Sequence, residues 1–151
     1  MIQGSEYEQK ITVAVAGIVL NREGRVLLVK HSEAKRGGFW YGKWICPAGK
    51  LELGESLSEG VAREIREETS LDVNVMKDPF VLDRIVRQGS MTRLHVVCAN
   101  FVVESETGEV CAGSDAVIAR WFSRRELRDR RSELHEDTLR QLERSGLLGR
   151  T

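Results

Sequence analysis

The order of hydrophobic and polar residues along this chain predicts short strands separated by turns, with helices in the middle and at the end. The stretch 11–20 is rich in Val, Ile and Ala, as a buried strand would be, and a turn over 21–24 leads to a returning strand over 25–30. A polar loop over 31–43 then reaches a short extended segment over 44–47. Beyond the central helix, the pattern predicts strands over 71–75, 80–86, 91–103 and 117–122, with turns over 88–90 and 104–109.

The starts of the helices are marked by capping sequences. Ser56 and Glu59 form a Ser-x-x-Glu capping box, so a helix should begin at about Leu57. The same pattern at 123–126 predicts a short helix, and the leucine spacing over 134–147 predicts a terminal one. This order of strands and helices is compatible with an α+β fold, but the pattern alone does not select a topology.

The central helix carries acidic residues along one side. Glu64 and Glu68 are one turn apart, and Glu67 lies about 60° around the helix from Glu64. Like charges at this spacing repel, so the cluster weakens the helix unless a cation such as Mg²⁺ or Mn²⁺ neutralises it. Val61 and Ile65 form a neighbouring apolar stripe, which indicates that the helix is buried on that side. The alternative is a solvent-exposed helix whose acids pair with nearby arginines.

Size and composition agree with one domain over residues 1–151. Hydrophobic residues make up 41% and charged residues 30%, as in an ordinary globular protein. Lys plus Arg equals Asp plus Glu at 23 each, so no overall field attracts nucleic acid or a membrane surface. An anionic small-molecule substrate would have to be attracted by a bound metal and by local Arg or Lys, and a homodimer is compatible with the hydrophobic strands.

Several features favour the cytoplasm. The segment 1–10 is polar and acidic, unlike a signal peptide, and no apolar run approaches the roughly 18 residues that cross a bilayer. Cys46, Cys98 and Cys111 are odd in number and lack a C-x-x-C spacing, which is typical of a reducing compartment. We expect Cys46 and Cys98 to be buried structural thiols.

The stretch from residue 49 to 71 resembles the Nudix box, G-x5-E-x7-R-E-U-x-E-E-x-G-U, in which U is a bulky aliphatic residue. The matching residues are Gly49, Glu55, Arg63, Glu64, Ile65, Glu67, Glu68 and Leu71. Ser70 stands where the family has Gly, which should cost about 1 kcal/mol in a left-handed helix end. The resemblance implies an α/β/α sandwich with a mixed β-sheet, in which the motif forms a loop, a helix and a loop.

The resemblance also implies a metal-dependent hydrolase, with Mg²⁺ as cofactor and Mn²⁺ as an alternative, which cleaves a nucleoside diphosphate linked to another group. The metal ligands would be Gly49, Glu55, Glu64, Glu67 and Glu68. The catalytic residues would be Glu64, as ligand or general base, Arg63, which pairs with a motif carboxylate, and Asp115, with Glu109 as a second candidate for the base.

The substrate is less constrained. Trp40, Tyr41 and Trp44 precede the motif and could stack on a base, although Trp44 could instead fill the core. The candidate phosphate or ribose ligands are Arg36, Lys50 and Arg93. We favour a pyrophosphatase acting on free nucleoside triphosphates, including damaged ones. An ADP-ribose or nucleoside-diphosphate-sugar pyrophosphatase is the first alternative. A nucleotide sensor without catalysis is the second.

Overall fold

A mixed sheet of seven strands lies between helices in the computed structural model, which describes residues 10–31, 39–107, 109–113 and 116–150. The strands and helices, in chain order, are β1 Thr12–Leu20, β2 Val26–His31, β3 Ala48–Lys50, α1 Leu57–Thr69, β4 Asp72–Asn74, β5 Phe80–Gln88, β6 Met91–Thr107, β7 Ala116–Phe122, α2 Arg124–Asp129 and α3 Glu136–Arg144. The described part contains no helix long and apolar enough to cross a membrane.

Each face of the sheet has its own hydrophobic core, because alternate residues of a strand point to opposite sides. On one face, Val15 and Phe101 pack with Val61 and Ile65 of α1. On the other face, the buried residues are Ile18, Val26, Leu28, Trp44, Phe122, Leu127, Leu134 and Leu142, which brings α2 and α3 against the sheet. The predicted α/β/α sandwich is therefore confirmed.

Strand β1 determines where the sheet opens. It pairs in parallel with β6 along its full length, from Thr12 to Leu20. Its other edge is divided: β3 pairs antiparallel with residues 14–16, whereas β2 pairs antiparallel with residues 19–20. The acidic side of α1 can therefore be reached from the edge of β1 with which both β2 and β3 pair.

The central helix begins and ends as its sequence predicts. Ser56 accepts a hydrogen bond from the backbone N–H of Glu59, and Glu59 accepts one from the N–H of Ser56, so the capping box is complete. At the other end, Ser70 has φ of 66°, the left-handed conformation that the family sequence provides with Gly. Its N–H still bonds to the carbonyl of Arg66 at 2.9 Å.

One predicted element is present in part, and two differ from the structure. In the segment 44–47, predicted as extended, Ile45 and Trp44 form β-bridges, and the regular strand β3 follows immediately after it. The predicted turn over 104–109 is partly wrong, since β6 continues to Thr107 and pairs with β4. The terminal helix starts at Glu136 because Leu134 is extended and pairs with Trp44 in a β-bridge.

Candidate active site

The motif places Glu64 directly against Gly49. A Cβ built on Gly49 would lie 2.0 Å from Oε1 and 2.2 Å from Oε2 of Glu64. Strand β3 supplies Gly49 and helix α1 supplies Glu64, so the carboxylate fits only because residue 49 has no side chain. The Gly of the motif is thus explained by this close approach.

Arg63 binds three of the motif carboxylates. Its Nε donates to Oε2 of Glu55 at 2.6 Å, and its Nη2 donates to Oε1 of the same residue at 3.0 Å. Its Nη1 donates to Glu64 at 3.0 Å and to Glu67 at 3.2 Å, while Nη2 also bonds to the carbonyl of Lys50 at 3.1 Å. The predicted pairing of Arg63 with motif carboxylates is present, and it fixes their side-chain positions.

Glu68 is buried at the same site, with 5% of its surface exposed. Its Oε1 accepts a hydrogen bond from the backbone N–H of Ala48 at 2.9 Å. Its Oε2 lies 3.4 Å from Nε2 of His31, at the end of β2. Glu68 therefore lies between the two strands that share the edge of β1.

The electrostatics of the cluster centre on Glu64. Burial, followed by repulsion from Glu68, raises the pKa of Glu64 from 4.5 to about 7, although Arg63 acts in the opposite direction. The hydrogen bond from Arg63 lowers the pKa of Glu55, which remains charged. One carboxyl of the cluster is therefore poised to bind or release a proton near neutral pH.

The described residues contain no group of three or more His, Cys, Asp or Glu side chains already arranged as a metal site. The chemistry of the donors nevertheless fits a hard divalent cation. Glu64 and Glu68 are oxygen donors whose mutual repulsion a cation would relieve, and Gly49 leaves room around Glu64. Glu64, Glu67 and Glu68 all line one cleft, so they would hold the ion.

The carboxylate of Glu55 is bound to Arg63 and lies outside the lining of the cleft. Both of its carboxylate oxygens bond to Arg63, Oε1 also accepts from the N–H of Glu52, and the residue does not line the cleft. Glu55 therefore anchors Arg63, and its predicted contact with a metal, directly or through water, stays a prediction.

The cleft has a volume of about 440 Å³ and extends from the acidic cluster to helix α3. At the acidic end it is lined by Lys50, Arg63 and three of the motif carboxylates, those of Glu64, Glu67 and Glu68. The sheet residues that line it include Ala14, Val96 and Cys98. A cleft of this size is within the usual range for small-ligand sites.

The far end of the cleft is aromatic and polar. Trp40 lies there with Tyr41, and its Nε1 donates to Oδ2 of Asp137 at 3.0 Å. Arg84 also binds Asp137, through Nε at 2.9 Å, and its guanidinium lies 5.3 Å from the centre of the Phe39 ring. This end is therefore built from the loop before the motif, from β5 and from α3.

Only some of the predicted substrate ligands line the cleft. Trp40, Tyr41 and Lys50 line the cleft. Trp44 does not line the cleft, since it is 4% exposed and its ring centre lies 4.9 Å from that of Phe122. It belongs to the core, which corrects the prediction that it contacts substrate. Arg93 also lies outside the cleft, where its Nη1 bonds to Gln88 across the β5–β6 hairpin. Its exposed hairpin position removes it from the predicted ligands.

Arg36 and Asp115 lie outside the described residues, so their predicted roles stay predictions. The alternative base, Glu109, is exposed. The predicted burial of Cys46 is confirmed, and burial raises the pKa of its thiol, whereas Cys98 is half-buried in the cleft floor.

Sequence reasoning missed the residues of the C-terminal helix that line the cleft. Asp137 and Gln141 are one turn apart on α3, and both line the cleft. Asn100 is fully buried within the apolar strand β6. A buried amide in an apolar strand was the available signal, because such a group requires polar partners that another element must supply.

Comparisons with known proteins find one family at the level of both sequence and fold. The NUDIX domain family matches residues 10–142. A MutT-like protein from Streptomyces ambofaciens is 29% identical over 124 residues, covering 82% of this chain and 71% of that protein. An ADP-ribose pyrophosphatase from Methanocaldococcus jannaschii is 34% identical over 110 residues, covering 73% of this chain and 60% of that protein. The crystal structure of a MutT NUDIX hydrolase from Burkholderia pseudomallei superposes with a TM-score of 0.74 at 25% identity, covering 89% of this chain and 98% of that one.

Proposed function

Because this chain belongs to the Nudix hydrolase family, we propose that it hydrolyses nucleoside triphosphates to a nucleoside monophosphate and pyrophosphate. The proposed metal ion is Mg²⁺, for which Mn²⁺ could substitute, since the donors are carboxylate oxygens. The observation that carries the proposal is the single cleft that joins the acidic cluster to the aromatic end around Trp40.

The two ends of the cleft suit the two ends of a mononucleotide. The acidic cluster, with its cation, would bind the phosphates, and Lys50 adds a positive charge beside them. Trp40 and Tyr41 offer rings on which a base could stack. A volume of about 440 Å³ is sufficient for one nucleotide of this kind.

In the proposed reaction, water attacks a phosphorus atom of the triphosphate, its proton passes to a general base, and pyrophosphate leaves. A bound dication would supply neutralisation of the phosphate charge and acidification of water. Glu64 is the first candidate for the base, because its carboxylate lines the cleft beside Glu67 and Glu68, where the attacked phosphate would lie. Arg63 acts through the carboxylates that it positions, and Asp115 remains the second candidate for the base.

A second candidate is the cleavage of ADP-ribose or another nucleoside-diphosphate sugar. The similarity to the Methanocaldococcus ADP-ribose pyrophosphatase favours it, although the chain spans only 60% of that protein's length. The same acids would serve, because both reactions break a diphosphate bond.

The test is a hydrolysis panel with purified protein, Mg²⁺ or Mn²⁺, and inorganic pyrophosphatase to convert released pyrophosphate to phosphate. The panel contains the ordinary nucleoside triphosphates, 8-oxo-dGTP, ADP-ribose, a nucleoside-diphosphate sugar and capped RNA. Sugar substrates are followed by release of the monophosphate. Faster turnover of triphosphates than of ADP-ribose supports the first candidate, and the reverse order supports the second.

The variant Glu64→Gln is the control for contaminating hydrolases, because it keeps the shape of the side chain without its charge. Activity that survives this substitution unchanged would not belong to the site. Tight binding of a nucleotide without hydrolysis of any compound would favour the sensor hypothesis.

A further inference from the structure

Asn100 has an orientation that its neighbours determine. It is fully buried on β6, and its Nδ2 donates to the carbonyl of Phe80 at 3.2 Å and to that of Cys98 at 3.1 Å. Backbone carbonyls can only accept, so the NH₂ group must face them. The carbonyl oxygen of Asn100 therefore faces α3.

This oxygen in turn orients Gln141. Nε2 of Gln141 donates to Oδ1 of Asn100 at 2.7 Å, so the amide of Gln141 is also fixed. Among the described residues, the side chain of Gln141 makes its hydrogen bond through Nε2 and none through Oε1, and Gln141 lines the cleft. One acceptor and one remaining N–H of the same amide are thus available to a ligand.

The other polar groups at this end are already engaged. Arg84 binds Asp137 and Glu136, and Arg140 donates to the carbonyl of Asp83 at 2.8 Å. The N–H of Trp40 bonds to Asp137. These bonds leave Gln141 as the side chain whose donor and acceptor are both oriented and open to a bound base.

We propose, building on the proposed nucleotide substrate, that Gln141 is a specificity residue that recognises adenine. Its amide complements a donor next to an acceptor, as adenine offers with its N6 amino group and N7. The corresponding edge of guanine presents two acceptors, O6 and N7, one of which would face Oε1 of Gln141. Asn100 is the positioning residue, because it aligns the amide without touching the base.

The experiment compares kcat/KM for ATP and GTP in the parent and in Gln141→Met, which keeps the length of the side chain without its polar atoms. Both substrates share the triphosphate, so their ratio isolates the base. We expect the parent to prefer ATP by about tenfold or more and the variant to bring the two within about twofold. Arg125→Gln is the matched surface control, since Arg125 is 83% exposed on α2, and it should keep the parental ratio.

Binding of AMP and GMP, measured by calorimetry, separates this inference from the proposed hydrolysis. If nucleotides are hydrolysed but the parent shows no preference for ATP, or the variant keeps the parental ratio, the role of Gln141 is wrong while the hydrolase stands. If nothing is hydrolysed but AMP binds more tightly than GMP and the variant loses that difference, the role of Gln141 stands without the proposed reaction. Equal binding of AMP and GMP by the parent overturns it.

Discussion

The carboxylate of Glu64 occupies the space that a side chain on Gly49 would fill, with Oε1 only 2.0 Å from the position of the missing Cβ. Gly49→Ala should therefore displace Glu64 and reduce kcat/KM by about 100-fold, since misplacing a catalytic group by an ångström has an effect of this order. Steady-state kinetics at saturating Mg²⁺ provide the measurement. Gly149→Ala is the control, because its Cβ would meet nothing within 4 Å. Near-parental activity in Gly49→Ala would show that the position of Glu64 is unimportant.

Glu64 should make the stability of the metal-free protein depend on pH. Its folded pKa of about 7 lies above the ordinary value of 4.5, so the folded state holds this proton more tightly than the unfolded chain. The associated stability is fully present below pH 4.5 and is lost as the pH rises through 7. The shift corresponds to about 3 kcal/mol of unfolding free energy.

Urea unfolding in EDTA at several pH values measures this effect. Glu64→Gln cannot titrate at residue 64, so any advantage of the parent over this variant in free energy of unfolding should shrink or reverse as the pH rises. Comparing the two proteins at each pH cancels the contributions of other groups such as His135. A difference that stays constant from pH 4.5 to 8 would contradict the raised pKa. Added Mg²⁺ should stabilise the parent more at pH 8 than at pH 6, because the cation competes with the proton.

Glu67 and Glu68 should matter for turnover more than for folding. Glu67→Gln and Glu68→Gln each remove a negative charge from a repulsive cluster, so we expect kcat to fall by orders of magnitude while the melting temperature stays the same or rises. Parallel thermal unfolding and Mg²⁺-dependent kinetics test both parts. Asp129→Asn, at an exposed surface pair, is the control. Equal turnover in a variant and the parent at saturating Mg²⁺ would remove that residue from the mechanism.

Ser70 offers a gain in stability. Its φ of 66° is a conformation in which Gly is not strained, and its hydroxyl contributes only a long contact of 3.4 Å to the carbonyl of Cys111. Ser70→Gly should therefore raise the unfolding free energy by up to about 1 kcal/mol and leave kcat unchanged. Chemical denaturation decides the matter, and a loss of stability would show that the hydroxyl contact outweighs the strain.

Local signals in the sequence were sufficient for the elements around the motif. The capping box at Ser56 fixed the start of α1, and the spacing of Glu64 and Glu68 correctly placed both carboxylates at one cleft. These features depend on residues within a few turns of each other. The short strand β3 was missed because three residues carry no periodicity, and its existence depends on pairing with β1, a distant segment.

The far end of the cleft could not be derived from local pattern. Trp40 and Asp137 are 97 positions apart, yet they share a hydrogen bond, and Asn100 meets Gln141 across 41 positions. The assignment of Trp44 also depended on tertiary packing. Nothing nearby in the sequence distinguishes a ring that packs on Phe122 from one that faces a ligand.

Trp40 and Trp44 should respond differently to substitution. Trp44→Ala should lower the unfolding free energy by about 3–5 kcal/mol, as expected for a large side chain removed from a core. Trp40→Ala should mainly raise KM for nucleotides, because its ring lines the cleft. Denaturation and steady-state kinetics on both variants separate the two roles, and a raised KM in Trp44→Ala without destabilisation would reverse the assignment.

Trp44→Phe sharpens this comparison. The indole N–H of Trp44 is buried without a hydrogen-bond partner among the described residues, and a buried unpaired donor costs about 1–3 kcal/mol. Phe removes that donor but keeps an aromatic ring against Phe122. Trp44→Phe should therefore lower the unfolding free energy much less than expected from the smaller ring volume alone. Its kcat/KM should stay close to the parental value. A large loss of activity in a stable Trp44→Phe protein would mean that the indole N–H serves the substrate rather than the core.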